Sequence, residues 1–318
     1  MCILFGGGKC TRANWRLLGY EPKCRIFFKH IHVKLLHSKI KIMLNLAHHD
    51  QTTVPILKQL PKIVFFDIDD TLYIKAERRI PDSAVAALHG LKARGILVAI
   101  ATGRARRVLP EPVEQLVEDV GIDLLVTVNG QRSHYRGEPL TQYALAPEHV
   151  QAVSATLAQA GMSYGYIMDD AVVALAEDEL FRDTLAKLGI GYSRLAPADF
   201  DPQTPVYQIL AFSTDNRQPL DLPEGLRTVR WHDSGIDILD TAGSKARGIE
   251  HALNHLGLMW ADTLAFGDGV NDIEMLQHAA CGVAMGNARA ELKAVADYVC
   301  PPAWEDGIYR GLQALGVL

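Results

Sequence analysis

The sequence has little of what marks the specialised classes of protein. It contains five cysteines, and Cys2, Cys10 and Cys24 have no spacing suited to a zinc site. The other two, Cys281 and Cys300, lie in apolar segments suited to buried thiols. Because this pattern is not a disulfide framework, we predict a protein of a reducing compartment, the cytoplasm.

A long hydrophobic run is also lacking, since a membrane-spanning helix requires about 18 consecutive apolar residues. Lys29, His30 and Lys34 interrupt the only candidate region. The net charge of -5 lacks the basic excess of a nucleic-acid-binding protein. We therefore predict no membrane and no nucleic-acid partner. The expected partner is a small molecule, bound by a monomer or a small homo-oligomer.

Acidic residues are scarce at the start of the chain. Residues 1–50 hold nine Lys or Arg but only Glu21 and Asp50. We predict that residues 1–58 form a basic N-terminal extension that is disordered or not native. A transit peptide has such a composition, but a start codon misassigned ahead of Met43 explains it without any function, and we favour that interpretation.

From Pro61 onward, short apolar runs alternate with helical patterns, which is typical of a parallel sheet covered by helices. The runs predicted to be buried strands are Lys62–Asp67, Leu97–Thr102, Leu124–Asn129, Thr263–Asp268 and Gly282–Met285. Amphipathic helices are predicted over Asp82–Arg94 and Ser244–Leu256. The sequence therefore predicts an α/β fold with a doubly wound, Rossmann-like parallel sheet.

The pattern changes in the middle of the chain, where helices are predicted to end at Gly161 and Leu188. Further strands are predicted at Ser163–Met168, Ala171–Ala176, Val206–Phe212, Arg227–Trp231 and Ile236–Leu239. We interpret residues 135–239 as an inserted α+β cap domain. The core domain is then formed by residues 59–134 and 240–318.

Two acidic side chains emerge where the first predicted strand ends, at Asp67 and Asp69. Ligands of open α/β sheets bind at the carboxyl ends of the strands, so both should face a crevice. Two carboxylates this close repel each other unless a cation lies between them, and an all-oxygen site suits magnesium. The pair predicts a Mg²⁺ cofactor. A calcium loop of the EF-hand type is excluded because Leu72 and Arg78 stand where Gly and Glu are needed.

A second acidic cluster, with Asp268 and Asp272, follows another predicted strand and should complete the metal site. Thr102 and Gly103 end a third strand, where a hydroxyl and backbone N–H groups can hold phosphate oxygens. Lys245 lies just inside a predicted helix and can supply a positive charge for the same phosphate. Taken alone, each of these residues is more often ordinary surface or a strand-end cap, so the prediction depends on their combination.

The combination resembles the haloacid dehalogenase-like hydrolases. The D-x-D-x-T motif from Asp67, the Thr-Gly-Arg from Thr102, the lone Lys245 and the G-D-x-x-N-D from Gly267 occur in the order typical of that family. The position of the cap, the Asn-Gly at Asn129 and the Ser-Lys ending at Lys245 are similar to the Cof-type, or class IIB, subgroup, which has a C2-type cap. The resemblance covers residues of about 60 to 318.

The resemblance implies a phosphatase of sugar phosphates or related metabolites, acting through an aspartyl-phosphate. In this role Asp67 is the nucleophile and Asp69 the general acid and base. Residues implied to bind the phosphoryl group are Thr102, Gly103, Lys245 and Asn271. Those implied to hold Mg²⁺ are Asp67, the backbone carbonyl of Asp69, Asp268, and Asp272 as ligand or neighbour. The family often has Gly at the position of Asp70, whose role here is unassigned.

Two other functions fit the same residues. A sugar phosphomutase uses the same Asp pair but returns the phosphoryl group to the substrate. A non-catalytic ligand-binding relative retains the fold, although the presence of Asp67 and Lys245 argues against it. His251 and His255 share a helix face, but Ala252 stands where a zinc protease needs Glu, so a zinc site is not predicted.

Overall fold

The computed structural model describes residues 53–168, 171–215 and 220–318. The predicted N-terminal extension lies outside the described residues as far as residue 52. The strands, numbered in chain order, are β1 Ile63–Phe66, β2 Leu97–Ala101, β3 Leu124–Thr127, β4 Arg132–Tyr135, β5 Glu138–Gln142, β6 Ser163–Ile167, β7 Val172–Ala176, β8 Ser193–Arg194, β9 Gln208–Phe212, β10 Leu226–His232, β11 Gly235–Asp240, β12 Thr263–Gly267, β13 Cys281–Ala284 and β14 Tyr298–Val299. The α-helices are α1 Asp82–Ala93, α2 Glu111–Val120, α3 Pro147–Gln159, α4 Glu179–Lys187, α5 Lys245–Leu256, α6 Ile273–His278, α7 Ala290–Lys293 and α8 Gly307–Ala314.

The larger sheet has the order β14-β13-β12-β1-β2-β3-β4-β5. All pairs from β14 to β3 are parallel, whereas β4 and β5 add an antiparallel hairpin at the edge. The chain runs outward from β1 to β3 on one side and from β12 to β14 on the other. The direction therefore reverses between β1 and β12, and the carboxyl ends of these two strands form the crevice in which such sheets bind ligands.

This sheet is buried because its central strands are apolar on both faces. All four residues of β1 are inaccessible to solvent, as are Ala265 and Phe266 of β12. Helix α1 contacts α2 and α8, and α5 contacts α6. A continuous apolar strand buried on both faces is what a parallel sheet covered by helices requires. The predicted doubly wound α/β fold is confirmed.

The smaller sheet has the order β10-β11-β9-β6-β7-β8 and is antiparallel except for the short β7–β8 pair. Helix α3 packs on it through Val150, Val153 and Leu157, in a core with Tyr164 and Tyr166. A separate apolar cluster joins it to the larger unit, since Ala105 and Val128 belong to the same cluster as cap residues such as Tyr207. We call this sheet with its helices the cap.

At the β4–β5 edge of the larger sheet, the structure differs from the predicted domain boundary. The strands β4 and β5 pair with β3 in the larger sheet, so a domain boundary at residue 135 falls inside this hairpin. The chain enters the cap only after Gln142.

Among the described residues, no helix combines the length and apolar character needed to cross a membrane.

Candidate active site

Asp67 lies at the centre of the crevice because it follows the buried strand β1 directly. Its backbone N–H donates to the carbonyl of Phe266 at 3.0 Å, which fixes the ends of β1 and β12 side by side. Asp67 itself is 5% exposed. A buried carboxylate at the end of a central strand is costly unless charged or hydrogen-bonding partners surround it.

The first partner is Lys245, which helix α5 places over the end of β1. Ser244 begins this helix, and its hydroxyl accepts a hydrogen bond from the backbone N–H of Arg247 at 3.3 Å. The loop after β3 lies close against this helix start. A Cβ on Gly130, which has φ +82°, would lie 2.0 Å from the carbonyl oxygen of Ser244. Glycine at this position therefore lets the helix approach the strand ends.

Lys245 is buried and bridges two carboxylates. Its Nζ donates to Asp67 Oδ1 and, at 2.7 Å, to Asp272 Oδ1. Burial lowers the pKa of this lysine, but the charges and hydrogen bonds of Asp272 and Asp67 outweigh burial and raise the pKa above its ordinary value. The ammonium group is thus held in its charged form beside the predicted nucleophile.

Asp272 is oriented by the turn after β12. Its Oδ2 accepts hydrogen bonds from the backbone N–H groups of Asp268 and Gly269, both at 3.0 Å. A Cβ on Gly267 would lie 2.5 Å from the carboxyl carbon of Asp272, so the side chain can fold back against the strand only because Gly267 lacks one. Both oxygens of Asp272 are therefore engaged, one by Lys245 and one by the backbone.

One carboxylate oxygen from each of Asp67, Asp268 and Asp272 lies within 4.8 Å of the other two. Burial raises the pKa of Asp67 to about 7, and Asp272 and Asp69 add to this effect while Lys245 opposes it. Burial, then the charges of Asp67 and Asp272, raise the pKa of Asp268 to about 8. Ionised carboxylates in this arrangement need more positive charge than Lys245 supplies. A hard divalent cation with oxygen ligands fits these residues.

Asp69 points to a different partner, Arg104. The guanidinium donates through Nε to Asp69 Oδ2 and through a terminal nitrogen to Asp69 Oδ1, each at 2.8 Å. Burial raises the pKa of this carboxyl, but the hydrogen bonds and charge of Arg104, with smaller effects of Lys75 and Lys245, lower it below its ordinary value. In this conformation Asp69 is held ionised, which is the form able to accept a proton.

The strand ends of β2 and β3 are joined around Thr102. The hydroxyl of Thr102 accepts from the backbone N–H of Arg104 at 3.1 Å, and the carbonyl of Thr102 accepts from the N–H of Asn129 at 3.1 Å. Val128 and Asn129 both have positive φ, of 49° and 50°. A β-branched residue adopts this conformation only when its surroundings impose it, and such strain often lies at functional sites.

Asn129 connects three parts of the site. Its Oδ1 accepts from the side chain of Asn271 at 3.1 Å, and its Nδ2 donates to Gln208 of the cap at 3.2 Å. It also packs on Gly103, whose added Cβ would lie 3.2 Å from Asn129 Oδ1. The sequence predicted Thr102, Gly103, Lys245 and Asn271 as phosphate-binding residues, and the structure places Thr102, Gly103 and Asn271 around Asn129.

Asp70 has a structural contact that its sequence position did not indicate. Its φ is 59°, in the left-handed region where Gly is favoured and Asp is tolerated. Its carboxylate forms an ion pair with Lys75 at 2.8 Å and accepts from the backbone N–H of Lys75 at 3.2 Å. Its carbonyl accepts from Asn287 at 2.8 Å. Asp70 therefore stabilises the turn that carries Asp67 and Asp69.

A cavity of about 340 Å³ lies between these residues and the cap. From the larger unit it is lined by Asn129, Ser244, Lys245, Val270, Asn271, Ile273 and Glu274, and from the cap by Arg227, Val229 and Leu239. The core thus contributes charged, amide and hydroxyl groups together with two apolar side chains, and the cap contributes one arginine and two apolar side chains. This arrangement suits a small molecule with one anionic group.

The structure brings together four of the eight residues that the sequence singled out, since Asp67, Asp268, Asp272 and Lys245 form one cluster. Asp69 lies beside them but faces Arg104. The sequence did not assign roles to Asn129 or Gln208, although Asn129 stands in a recognised Asn-Gly pair. That pair, directly after a predicted strand, was the signal that could have identified it.

The family comparison agrees with this geometry. Residues 64–312 match the model of a family described as haloacid dehalogenase-like hydrolase. This match includes both acidic clusters, Lys245 and the whole cap.

Individual relatives are similar over the same region. A Streptococcus pyogenes protein with a proposed bifunctional phosphatase and peptidyl-prolyl cis-trans isomerase assignment is 36% identical over 264 residues, which are 81% of this chain but only 54% of that protein. The Bacillus subtilis protein YkrA, with a proposed phosphatase assignment, is 32% identical over 81% of this chain and 98% of its own. A solved sugar phosphatase of haloacid dehalogenase subclass IIB is 31% identical with a TM-score of 0.75, covering 81% of this chain and 100% of that one.

Proposed function

Because this chain belongs to the haloacid dehalogenase-like hydrolases, we propose that it is a Mg²⁺-dependent phosphatase of small phosphomonoesters, acting through an aspartyl-phosphate on Asp67. The enzyme class, a hydrolase of phosphoric monoesters, is that of its phosphatase relatives. The preferred substrates are sugar phosphates or related metabolites, because the similar subclass IIB enzyme is a sugar phosphatase.

The observation that carries the proposal is the contact of Lys245 with both Asp67 and Asp272 at the end of β1. Residues that would hold Mg²⁺ are Asp67, the carbonyl of Asp69, Asp268 and Asp272. When bound, Mg²⁺ supplies positive charge that shields the nucleophile from the anionic phosphate and stabilises the transferring phosphoryl group. Lys245 contributes a second positive charge at the same point.

The chain's own residues then perform two steps. In the first, an Asp67 oxygen forms a bond to phosphorus while the bond from phosphorus to the leaving oxygen breaks, and that oxygen takes a proton from Asp69. In the second, Asp69 takes a proton from water, whose oxygen attacks phosphorus. The aspartyl-phosphate bond breaks, which releases inorganic phosphate and restores Asp67.

Arg104 affects the protonation of Asp69 in the first step. With Arg104 bound, Asp69 is ionised, so the leaving oxygen can receive a proton only after Asp69 has taken one up. Substrate binding must therefore loosen the Arg104 pair or add negative charge beside Asp69. The Thr102 hydroxyl and the backbone at Gly103 would hold the phosphate oxygens meanwhile.

The proposal is tested by phosphate release from a panel of sugar phosphates, with and without Mg²⁺. We expect turnover only with Mg²⁺, and we expect Asp67→Asn to lower kcat by at least about a thousandfold because the amide cannot act as the nucleophile. Asp119→Asn, an exposed change on α2, is the matched control and should retain wild-type activity. Equal turnover by Asp67→Asn would disprove the aspartyl-phosphate. Turnover that needs a bisphosphate activator and yields a phosphorylated isomer would identify a mutase instead.

A further inference from the structure

One face of the cap sheet is turned toward the active-site cavity. Asp237 on β11 is paired with Leu210 on β9 and with Val229 on β10. Directly paired residues of antiparallel strands project to the same face, and so does Leu239 two positions along. Val229 and Leu239 line the cavity opposite Lys245. Asp237 therefore lies on the same face of the cap sheet as Val229 and Leu239, next to the residues that line the cavity.

The polar side chains that act on Asp237 are neutral. The side chains of Trp231, Asn129 and Gln208, all uncharged, favour its charged form. Within the described part of the chain, no Lys, Arg or His forms an ion pair with it. Asp237 is 7% exposed and Gln208 is 1% exposed. A carboxyl group buried to this extent without a cation is uncommon in a structural role.

Burial dominates the ionisation of this group. It raises the pKa of Asp237 to about 8, although the three neutral side chains lower it. At neutral pH the side chain is then mainly a neutral acid, which can donate one hydrogen bond and accept others. A hydroxyl group has the same combination of one donor and two acceptor positions. The fold alone does not require the acid, since its paired neighbours Val229 and Leu210 are apolar.

Asn129 ties this group to the reacting end of the cavity. The same amide contacts Asn271 at 3.1 Å and Gln208 at 3.2 Å, and both Asn129 and Gln208 act on the pKa of Asp237. Hydrogen bonds thus connect Asn271 of the core to the cap side chain beside Asp237. A substrate with its phosphate beside Lys245 would direct its leaving group at the cap wall.

We propose that Asp237, positioned by Gln208 and Asn129, is a specificity-determining residue that binds hydroxyl groups on the leaving group of a polyol or sugar phosphate. This inference rests on the proposed phosphatase function. It attributes the enzyme's selectivity among phosphate esters to Asp237 of the cap.

Arg227 could recognise a different substrate class. It lines the same cavity, donates to the carbonyl of Gly243 at 2.6 Å, and has a buried Nε without a hydrogen-bond partner in the described part of the chain. A second anionic group on the substrate would suit it. We favour hydroxyl recognition because Arg227 already binds the segment that joins cap and core, whereas the Asp237 side chain forms no hydrogen bond to the backbone of the described residues.

The test compares two substrates that share the phosphate but differ in the leaving group. Glucose 6-phosphate offers hydroxyls, and p-nitrophenyl phosphate offers none. We expect Asp237→Asn, which keeps the size of the side chain but replaces an oxygen that can both donate and accept by an NH₂ group that only donates, to lower kcat/KM for glucose 6-phosphate about tenfold or more, chiefly through KM. The kcat/KM for p-nitrophenyl phosphate should change less than about twofold. Asp233→Asn, an exposed change in the same β10–β11 hairpin, is the control and should alter neither.

Deoxy sugar phosphates show whether the effect of Asp237 depends on one particular hydroxyl group. For the deoxyglucose 6-phosphate that lacks the hydroxyl bound by Asp237, wild type and Asp237→Asn should have equal kcat/KM, because the interaction is absent from both. Gln208→Met provides a second variant and should weaken the same selectivity to a smaller extent.

Three outcomes would overturn the inference. These are an unchanged ratio of the two substrates in Asp237→Asn, an equal loss on both, or a selective loss only for substrates with a second anionic group, which would point to Arg227. If the wild-type enzyme hydrolysed none of the esters, the proposed function itself would fail. The two failures are therefore distinguishable.

Discussion

At the scale of the residue, Arg104 determines the state of Asp69. Two nitrogens of one guanidinium hold two oxygens of one carboxylate, and this fork fixes the plane of the carboxylate as well as its charge. A general acid and base must point at the reacting oxygen to be effective. Arg104 is thus a positioning residue, acting through Asp69 without contacting the proposed nucleophile.

Replacing this fork by a single charge tests the role. Arg104→Lys retains the positive charge but cannot donate from two fixed directions. We expect kcat to fall about tenfold to a hundredfold with KM nearly unchanged, because the carboxylate is misoriented while phosphate binding is intact. The pKa of Asp69 should also rise toward its ordinary value, which moves the acidic limb of the pH–rate profile to higher pH. The measurement is kcat and KM across the pH range.

Arg106→Lys is the matched control, since Arg106 is partly exposed and its contact with Glu114 is a distant 4.0 Å. Wild-type kcat and an unshifted profile in Arg104→Lys would show that the fork is not needed.

The sequence predicted most of the charged residues of the site, but it did not predict which residues they contact. Asp67 and Asp268 could be predicted because each directly follows an apolar run, and the ends of parallel strands meet at one edge. The contact of Asn129 with Gln208 spans 79 positions and joins core to cap, and no local pattern encodes it. Asp237 was missed for a related reason. It lies inside an apolar strand, where alternation alone gives an acid a solvent-facing position.

At the scale of the element, the position of Lys245 depends on how closely α5 approaches the loop after β3. Gly130 lies against the carbonyl of Ser244, and Gly248 lies against Gly130 on the next turn of the helix. Neither approach tolerates a side chain, so this contact sets the distance between the helix start and the end of β1.

Gly130→Ala tests this contact. The added methyl group would overlap the Ser244 carbonyl, and Ala is strained at φ +82°. We expect the free energy of unfolding to fall by about 2 kcal/mol or more, and activity to fall further than stability alone explains, because α5 must move and Lys245 with it. Denaturant unfolding and phosphate release measure the two effects.

Gly137→Ala is the control, since Gly137 also has a positive φ, of 84°, but no atom lies within 4 Å of the added Cβ. The Gly137→Ala variant therefore has the same kind of backbone strain but no steric overlap of the added methyl group. Equal losses in both variants would mean that strain alone matters and that the close approach does not.

Element prediction succeeded where strands are apolar and failed at the sheet edge. Strands β1, β2, β3, β12 and β13 were predicted because their residues are buried on both faces. The hairpin β4–β5 was missed because Arg132–Tyr135 is largely polar and β5 contains Pro139, which is compatible only with an edge strand. The hairpin lacks the alternation of apolar and polar residues that would predict a strand.

At the scale of the whole molecule, core and cap are coupled at the cavity. The core supplies the charged cluster, and the cap supplies the opposite wall and the Gln208 contact to Asn129. Movement of the cap would open the cavity to solvent, and closure would exclude water from the reacting groups. The substrate is expected to stabilise the closed arrangement by contacting both walls at once.

The same charge cluster makes the stability of the whole chain depend on metal and pH. Asp67 and Asp268 have folded-state pKa values of about 7 and about 8, both above the ordinary value for Asp. A group whose pKa is raised on folding binds more protons in the native state, so the metal-free protein should lose stability as pH rises from about 4 to about 8. A divalent cation replaces those protons, and its stabilising effect should therefore be larger at pH 8.5 than at pH 6.

Thermal unfolding in Mg²⁺ and in EDTA, at both pH values, measures this effect. A ligand present at about a hundred times its dissociation constant stabilises the native state by about 2.7 kcal/mol, so the Tm should rise by several degrees at the higher pH. Asp268→Asn should abolish most of that rise. In EDTA at pH 8.5 it should be more stable than the wild type, because one buried carboxylate that resists ionisation has been removed. Asp119→Asn, an exposed acid on α2, serves as the control. An equal Mg²⁺ shift in Asp268→Asn and wild type would contradict the assignment of the metal to the Asp67, Asp268 and Asp272 cluster.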